Sequence, residues 1–259
     1  MGTENKTKIN RLISQWIPGT PGTASYLKAS GFGLDLLAKY KKSGWLESFG
    51  RGAYIRSGDR VGWPGALYAL QRQLDLPVHA GGKTALELQG YAHYVPMKQQ
   101  KVFLYASRGV TVPSWFTEDR LGVPFVLTRT NMLPTDCAEG FSEFKEVGFS
   151  VRIASPERAA MEMLHLVPRK VGFDEARLIM ENLVTLRPDV VQELLAACRS
   201  VKVKRLFLYM AERCAHPWVS KLDGSKIDLG KGKRMIVANG RYDAKYCITV
   251  PADREGVAT

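Results

Sequence analysis

Residues 23–56 read TASYLKASGFGLDLLAKYKKSGWLESFGRGAYIR. Thr23 has the hydroxyl that an N-cap needs to hold an orphan amide of a first helical turn. Gly31 lacks the Cβ that makes a left-handed stop costly, so the first helix is expected to end there. Gly31-Phe32-Gly33 then gives a short glycine-containing turn into a second helix over residues 34–43. Leu34, Leu37 and Tyr40 are expected to face a small core, with Asp35, Lys39 and Lys42 opposite and Lys41 beside them. Residues 45–49 and 53–56 read as two strands around Gly50-Arg51-Gly52, a hairpin with a basic tip. Helix, turn, helix and hairpin in this order are the plan of a winged helix-turn-helix. Lysines on the outer face of the second helix suit a major groove, and Arg51 at the tip suits a sugar-phosphate backbone. The competing reading of the same lysines is a solvated helix face.

The charge of the chain favours the first reading. Its 259 residues carry a net charge of +12, and such an excess attracts polyanions over long range. Residues 1–56 hold nine basic residues (Lys6, Lys8, Arg11, Lys28, Lys39, Lys41, Lys42, Arg51, Arg56) against Glu4, Asp35 and Glu47. That excess of six is half of the net charge in about a fifth of the length. No lysine-rich amphipathic helix, spanning segment or signal peptide is apparent, and Met1-Gly2 lacks the rest of a myristoylation motif, so no membrane role is expected. Cys137, Cys198, Cys214 and Cys247 are widely spaced, without the paired spacing of a zinc module or disulfide framework. A reduced, cytoplasmic protein with no metal and no cofactor is the expectation.

Elsewhere, Ile9, Leu12, Ile13 and Trp16 repeat at helical spacing before the breakers of residues 18–22, predicting a first helix over 6–16 that completes a three-helix core. Ser57-Gly58-Asp59 is a turn, placing a domain boundary near residue 62. The expected organisation is α+β: a winged helix-turn-helix over 1–62, then a larger mixed α/β domain over 63–259 with a helical second half. Residues 64–74 and 83–89 read as helical, and 101–106, 124–130 and 147–153 as strands. Ser155-Pro156-Glu157-Arg158 opens a helix with a cap, a proline at the first position and an acid at the positive end of the dipole. Three more helices follow, at 173–186, 188–198 and 201–214. The last carries Lys202, Lys204, Arg205 and Arg213, and Lys233 and Arg234 lie downstream. This second basic region is either a second polyanion or partner surface, or a solvated helix face with a polar tail.

Catalytic motifs are scarce. Gly81-Gly82-Lys83-Thr84 resembles the end of a phosphate-binding loop, but Pro77 stands where the first glycine is required. His79 and His93 are expected to be structural. Asp136, followed by Glu143 and Lys145, resembles the carboxylate-lysine set of a metal-dependent nuclease, although the gap is short and Gly140 and Ser142 suggest a loop.

KYKKSGWLESFGRGAYIR (39–56), GALYALQRQL (65–74), GGKTALELQGYAHYVP (81–96), SPERAAMEML (155–164) and RPDVVQELLAACRSVKVKRLFLYMAER (187–213) together resemble the AbiEi family of type IV antitoxins. The resemblance runs from Ile9 to Pro251, block by block in the same order. It implies an antitoxin of a type IV toxin–antitoxin, or abortive infection, system without enzymatic activity. It further implies that the winged helix represses its own operon by binding repeats in promoter DNA, and that the C-terminal domain counteracts a nucleotidyltransferase-like toxin without needing a stable complex. On this reading Lys39, Lys41, Lys42 and Arg51 contact DNA, with Arg56 and Lys28 beside them. A metal-dependent nuclease with a DNA-binding front domain and a plain transcriptional regulator are the alternatives.

Overall fold

The computed structural model describes residues 2–91, 101–117 and 120–252, with side chains from residue 8 onward. His93 lies outside them. Two compact units divide the chain: Met1–His79 with Gln99–Arg129 and Glu143–Arg152, and Ala80–Lys98 with Thr130–Ser142 and Ile153–Thr259.

The first unit contains the expected winged helix-turn-helix: α1 (Gly2–Gln15), β1 (Gly22–Thr23), α2 (Ala24–Ala29), α3 (Leu34–Lys42), β2 (Leu46–Ser48) and β3 (Ala53–Arg56). The strands form an antiparallel sheet in the order β1-β3-β2. Thr23 caps α2 by accepting from the Tyr26 amide. Gly31 adopts a φ of +92°, and this left-handed residue lets its own amide reach Lys28 O while the Phe32 amide reaches Leu27 O. That pair of bonds satisfies carbonyls the helix end would leave orphaned. It also folds Phe32 back onto Leu27, and both lie in the core with Ile9, Leu12, Trp16, Leu37, Tyr40 and Leu46. α3 ends in the same way: Gly44 has a φ of +76°, its amide bonds Lys41 O, and the Trp45 amide bonds Tyr40 O.

One core expectation fails. Leu34 is 53% exposed, and Leu36 packs on the core in its place. A spacing of three drifts by about 60° per step on a helix of 3.6 residues per turn, so two steps carry Leu34 off the face shared by Leu37 and Tyr40.

The unit continues through α4 (Trp63–Tyr68), a π-helical turn (Ala69–Gln73), β4 (Val78–Ala80), β5 (Val102–Ala106), α6 (Ser114–Thr117), β6 (Phe125–Arg129), β7 (Phe141–Glu146) and β8 (Phe149–Ala154). The strands form a five-stranded sheet in the order β6-β5-β4-β8-β7, of which residues 80, 141–142 and 153–154 belong to the second unit. Residues 140–142 read as a loop in the sequence, yet β7 already runs from Phe141. Gln73 ties the winged helix to this layer, accepting from the Thr23 amide at 2.7 Å and donating to Pro21 O at 2.8 Å. Gly65 sits against Gly19 so closely that a Cβ would fall 1.8 Å from the Gly19 carbonyl oxygen.

In the second unit, α7 (Pro156–Leu166) is the central helix, packed by α5 (Gly82–Leu88), α8 (Phe173–Glu181), α9 (Pro188–Ala197) and α10 (Val201–Arg213). Three of its charged residues are buried: Glu157, Arg158 and Glu162. Burial of charge is tolerable only with close partners. Arg158 donates to Glu162 at 2.8 Å and to Pro134 O at 2.6 Å, and its guanidinium lies 4.4 Å from the centre of the Phe141 ring. The Glu157 carboxylate accepts from the amide, Nε and Nη2 of Arg187 at 2.9–3.0 Å. Burial works to raise the Glu157 pKa, but these bonds prevail and hold it below its ordinary value. A small sheet, β10-β11-β9 (β9 Arg234–Met235, β10 Arg241–Asp243, β11 Ile248–Val250), follows α10 and was not foreseen in the sequence.

Gly65→Ala should lower the unfolding free energy by about 1–3 kcal/mol, the range for overpacking a closed contact, read as a shift in urea midpoint. A carboxylate with a depressed folded-state pKa stabilises above its unfolded pKa, and that contribution is lost as the pH falls through the folded value. Wild-type stability should therefore fall on acidification below pH 4.5, the ordinary glutamate value. Glu157→Gln should start lower at neutral pH and show a shallower acid limb.

Candidate nucleic-acid interface

The exposed face of α3 carries the three lysines expected to meet DNA. Lys39, Lys41 and Lys42 form its last turn, and all three are exposed. The negative end of the helix dipole favours them there even without a ligand. Arg51 is exposed at the tip of the wing, between Gly50 and Gly52, whose φ values are +113° and +84°. Glycine meets such angles at no steric cost, and the tight turn projects the one long side chain outward. The base of the hairpin is held by the Glu47 carboxylate, which accepts from Ser57 Oγ at 2.7 Å and the Gly58 amide at 3.0 Å. These bonds pull the Glu47 pKa down. On the inner side, Phe49 of the wing meets Trp115, ring centres 6.0 Å apart.

Lys28 is exposed in the last turn of α2. Arg56 is placed differently. Its guanidinium pairs with Asp59 at 3.2 Å, and Asp59 also accepts from the Gly19 amide. Arg56 thus ties the end of β3 to the loop after α1. One cation was counted in the sequence but given no role: Arg11, exposed on α1, lies 5.1 Å over the ring of Phe32 in the turn before α3. Its signal was its place as the lone basic residue between Ile9 and Trp16, on the side of the first helix opposite the apolar stripe.

The second basic region separates into two groups. Arg205 is 3% exposed and donates to four carbonyls: Leu229, Gly230, Gly232 and Cys247, at 2.6–3.2 Å. Lys202 donates to His165 O and Val167 O at the end of α7, and burial drives its pKa down. Lys204 is 5% exposed. A polyanion surface needs exposed cations, and these three face inward because α10 is packed on nearly every side. Arg213, Lys233 and Arg234 are exposed, with Arg213 over Tyr209 and Lys233 over Tyr242.

The phosphate-loop-like segment is also turned inward. Gly81 caps α5, the Gly82 amide donates to Glu162 at 3.2 Å, and Lys83 pairs with Glu175. Carboxylates occupy the positions where phosphate would be held. His79 is buried with its ring stacked on Tyr105. Glu143 and Lys145 lie on β7, and Glu143 sits 3.9 Å from Arg72. Among the described residues, the side chains close enough to share a metal ion are Cys137, Glu139 and Glu193. Asp136 and Glu143 are not among them.

A winged helix-turn-helix with an outward basic helix and a basic wing tip is the architecture of DNA-binding regulators. The chain belongs to the AbiEi antitoxin family. Residues 99–251 match the family described as transcriptional regulator, AbiEi antitoxin, type IV TA system, and residues 5–97 match the AbiEi antitoxin N-terminal domain. It is therefore an antitoxin and transcriptional regulator of a type IV toxin–antitoxin system. Among solved structures, the RV2827C protein from Mycobacterium tuberculosis matches with a TM-score of 0.60 at 12% identity, covering 96% of this chain and 91% of that one. At that identity the likeness concerns the fold. A search of curated proteins gave no match. Among the described residues, no helix is long and apolar enough to cross a membrane.

Arg205→Ala should cost about 2–3 kcal/mol by leaving buried carbonyls unpaired, whereas Lys233→Ala and Arg234→Ala should stay within about 0.5 kcal/mol. Thermal unfolding of the three variants measures the contrast.

Proposed function

We propose that this protein represses its own operon through the winged helix and counteracts a nucleotidyltransferase-like toxin encoded beside it. The repression rests on direct contact with repeats in the promoter. Lys39, Lys41 and Lys42 meet phosphates along the major groove, Arg51 reaches the backbone from the wing, and Lys28 and Arg11 add contacts near the turn. Arg56 serves mainly to brace the wing through Asp59. The observation that carries this reading is the exposure of three lysines on the one face of α3 that the core does not use. Residues 1–62 form the DNA-reading part and residues 63–259 the part that protects against the toxin. The inward use of Lys202, Lys204 and Arg205 supports a scaffolding role for α10.

The test is separation of function in the full-length chain. A Lys39/Lys41/Lys42 triple alanine variant should lose promoter binding and flatten its salt dependence, the slope of log K against log salt falling by about 2–3 for three phosphate contacts. It should still restore growth when co-expressed with the product of the adjacent toxin gene. Unchanged promoter affinity in the folded variant would discard the site. Loss of protection together with loss of binding would discard the division of labour.

A further inference from the structure

We infer that Asp35, Ala38 and Leu34 are the base-reading residues of α3, and that they select a cytosine flanked by thymine in the operator half-site. This rests on the DNA-binding reading of the winged helix given above. The lysines named there cannot supply sequence discrimination alone, because a lysine meeting phosphate contacts every sequence alike.

The geometry comes from the phase of the helix. Leu37 and Tyr40 are buried and Leu36 packs beside them. With successive residues about 100° apart, the direction opposite that buried face is occupied by Asp35, Ala38 and Lys42, spaced i, i+3 and i+7. Lys39 flanks this stripe on one side and Leu34 and Lys41 on the other. All six are exposed. The centre of the outward stripe is therefore an acid and a methyl group in its first half and Lys42 in its last turn, and the other cations stand at its edges. That order matches the needs of a groove, with base edges along the floor and phosphates along the walls. Recognition helices present their N-terminal residues to the bases, and Leu34, Asp35 and Ala38 occupy the first half of α3.

The chemistry then follows from the residue types. An ionised carboxylate only accepts hydrogen bonds. In the major groove it pairs with the N4 amino group of cytosine; guanine offers only acceptors there, and the N6 amino group of adenine lies beside the N7 acceptor, which repels a carboxylate. The Asp35 carboxylate makes no hydrogen bond or ion pair with any described residue, so it remains available. The small Ala38 side chain allows close approach. Leu34 projects an apolar side chain that adds nothing to the core, and the apolar feature of the groove is the thymine methyl. The competing role of Asp35 is to complement the positive end of the α3 dipole, which would affect stability and leave base preference untouched.

The experiment is selection of bound duplexes from a randomised library by the full-length protein, with thermal unfolding run in parallel. The wild type should enrich a cytosine next to thymine. Asp35→Asn, whose amide matches adenine, should switch that position to adenine by about ten- to a hundredfold. Asp35→Glu should keep the cytosine, and Leu34→Ala should weaken the thymine preference severalfold. Affinity for unrelated DNA at low salt should be unchanged or slightly higher in Asp35→Asn. If Asp35→Asn melts at a lower temperature but selects the wild-type sequence, the residue is only a helix-end acid and the inference is overturned. If the wild type enriches no sequence, DNA reading by the winged helix fails, and this inference falls with it.

Discussion

Every element end leaves backbone amides or carbonyls over, and this fold is organised by how it satisfies them. α2 and α3 fold their last carbonyls under a left-handed glycine. α5 offers its first amide to the Glu162 carboxylate, α7 gives its last carbonyls to the Lys202 ammonium, and the segment after α10 converges four carbonyls on Arg205. An unpaired buried amide or carbonyl costs about as much as a lost hydrogen bond. Groups with several donors or acceptors therefore become the natural joints of the structure.

This requirement divides the basic residues by location. Arg158, Lys202 and Arg205 hold the second unit together from within, Arg187 closes over the buried Glu157 from the surface, and Arg56 braces the wing. Their charge counts toward the net +12, but much of it is directed at carbonyls and carboxylates. Lys39, Lys41, Lys42 and Arg51 are free of such duties among the described residues and lie exposed on the outside of the winged helix. A type IV antitoxin that also regulates transcription thus carries exposed cations on the helix and wing whose fold suits DNA, with further exposed ones such as Arg213, Lys233 and Arg234 in the second unit.

Much of this was legible in the sequence, for identifiable reasons. Thr23, Gly31 and the Gly50-Arg51-Gly52 turn are local signals, complete within a few residues, and the structure reproduces each. Leu34 was misplaced because a three-residue spacing resembles a helical face over one turn and departs from it over two. The fate of Arg205 could not be read at all. Its partners lie 24 to 42 positions downstream, and a lysine- and arginine-rich helix has the same composition whether it faces solvent or backbone. Strand β7 was obscured by its polar, exposed residues, and the small terminal sheet by strands of two or three residues.

The glycine stop at the end of α3 also governs something larger than that helix. Because the Trp45 amide is bonded to Tyr40 O, the first residue of the wing is fastened to the last turn of α3. Ser57 closes the other side of the hairpin by bonding Trp45 O. Helix and wing are therefore joined by backbone bonds at both sides of Trp45, like a jaw with a set gape. In the proposed role of DNA reader, a jaw of fixed gape would select a duplex by its local shape and stiffness as well as by its letters.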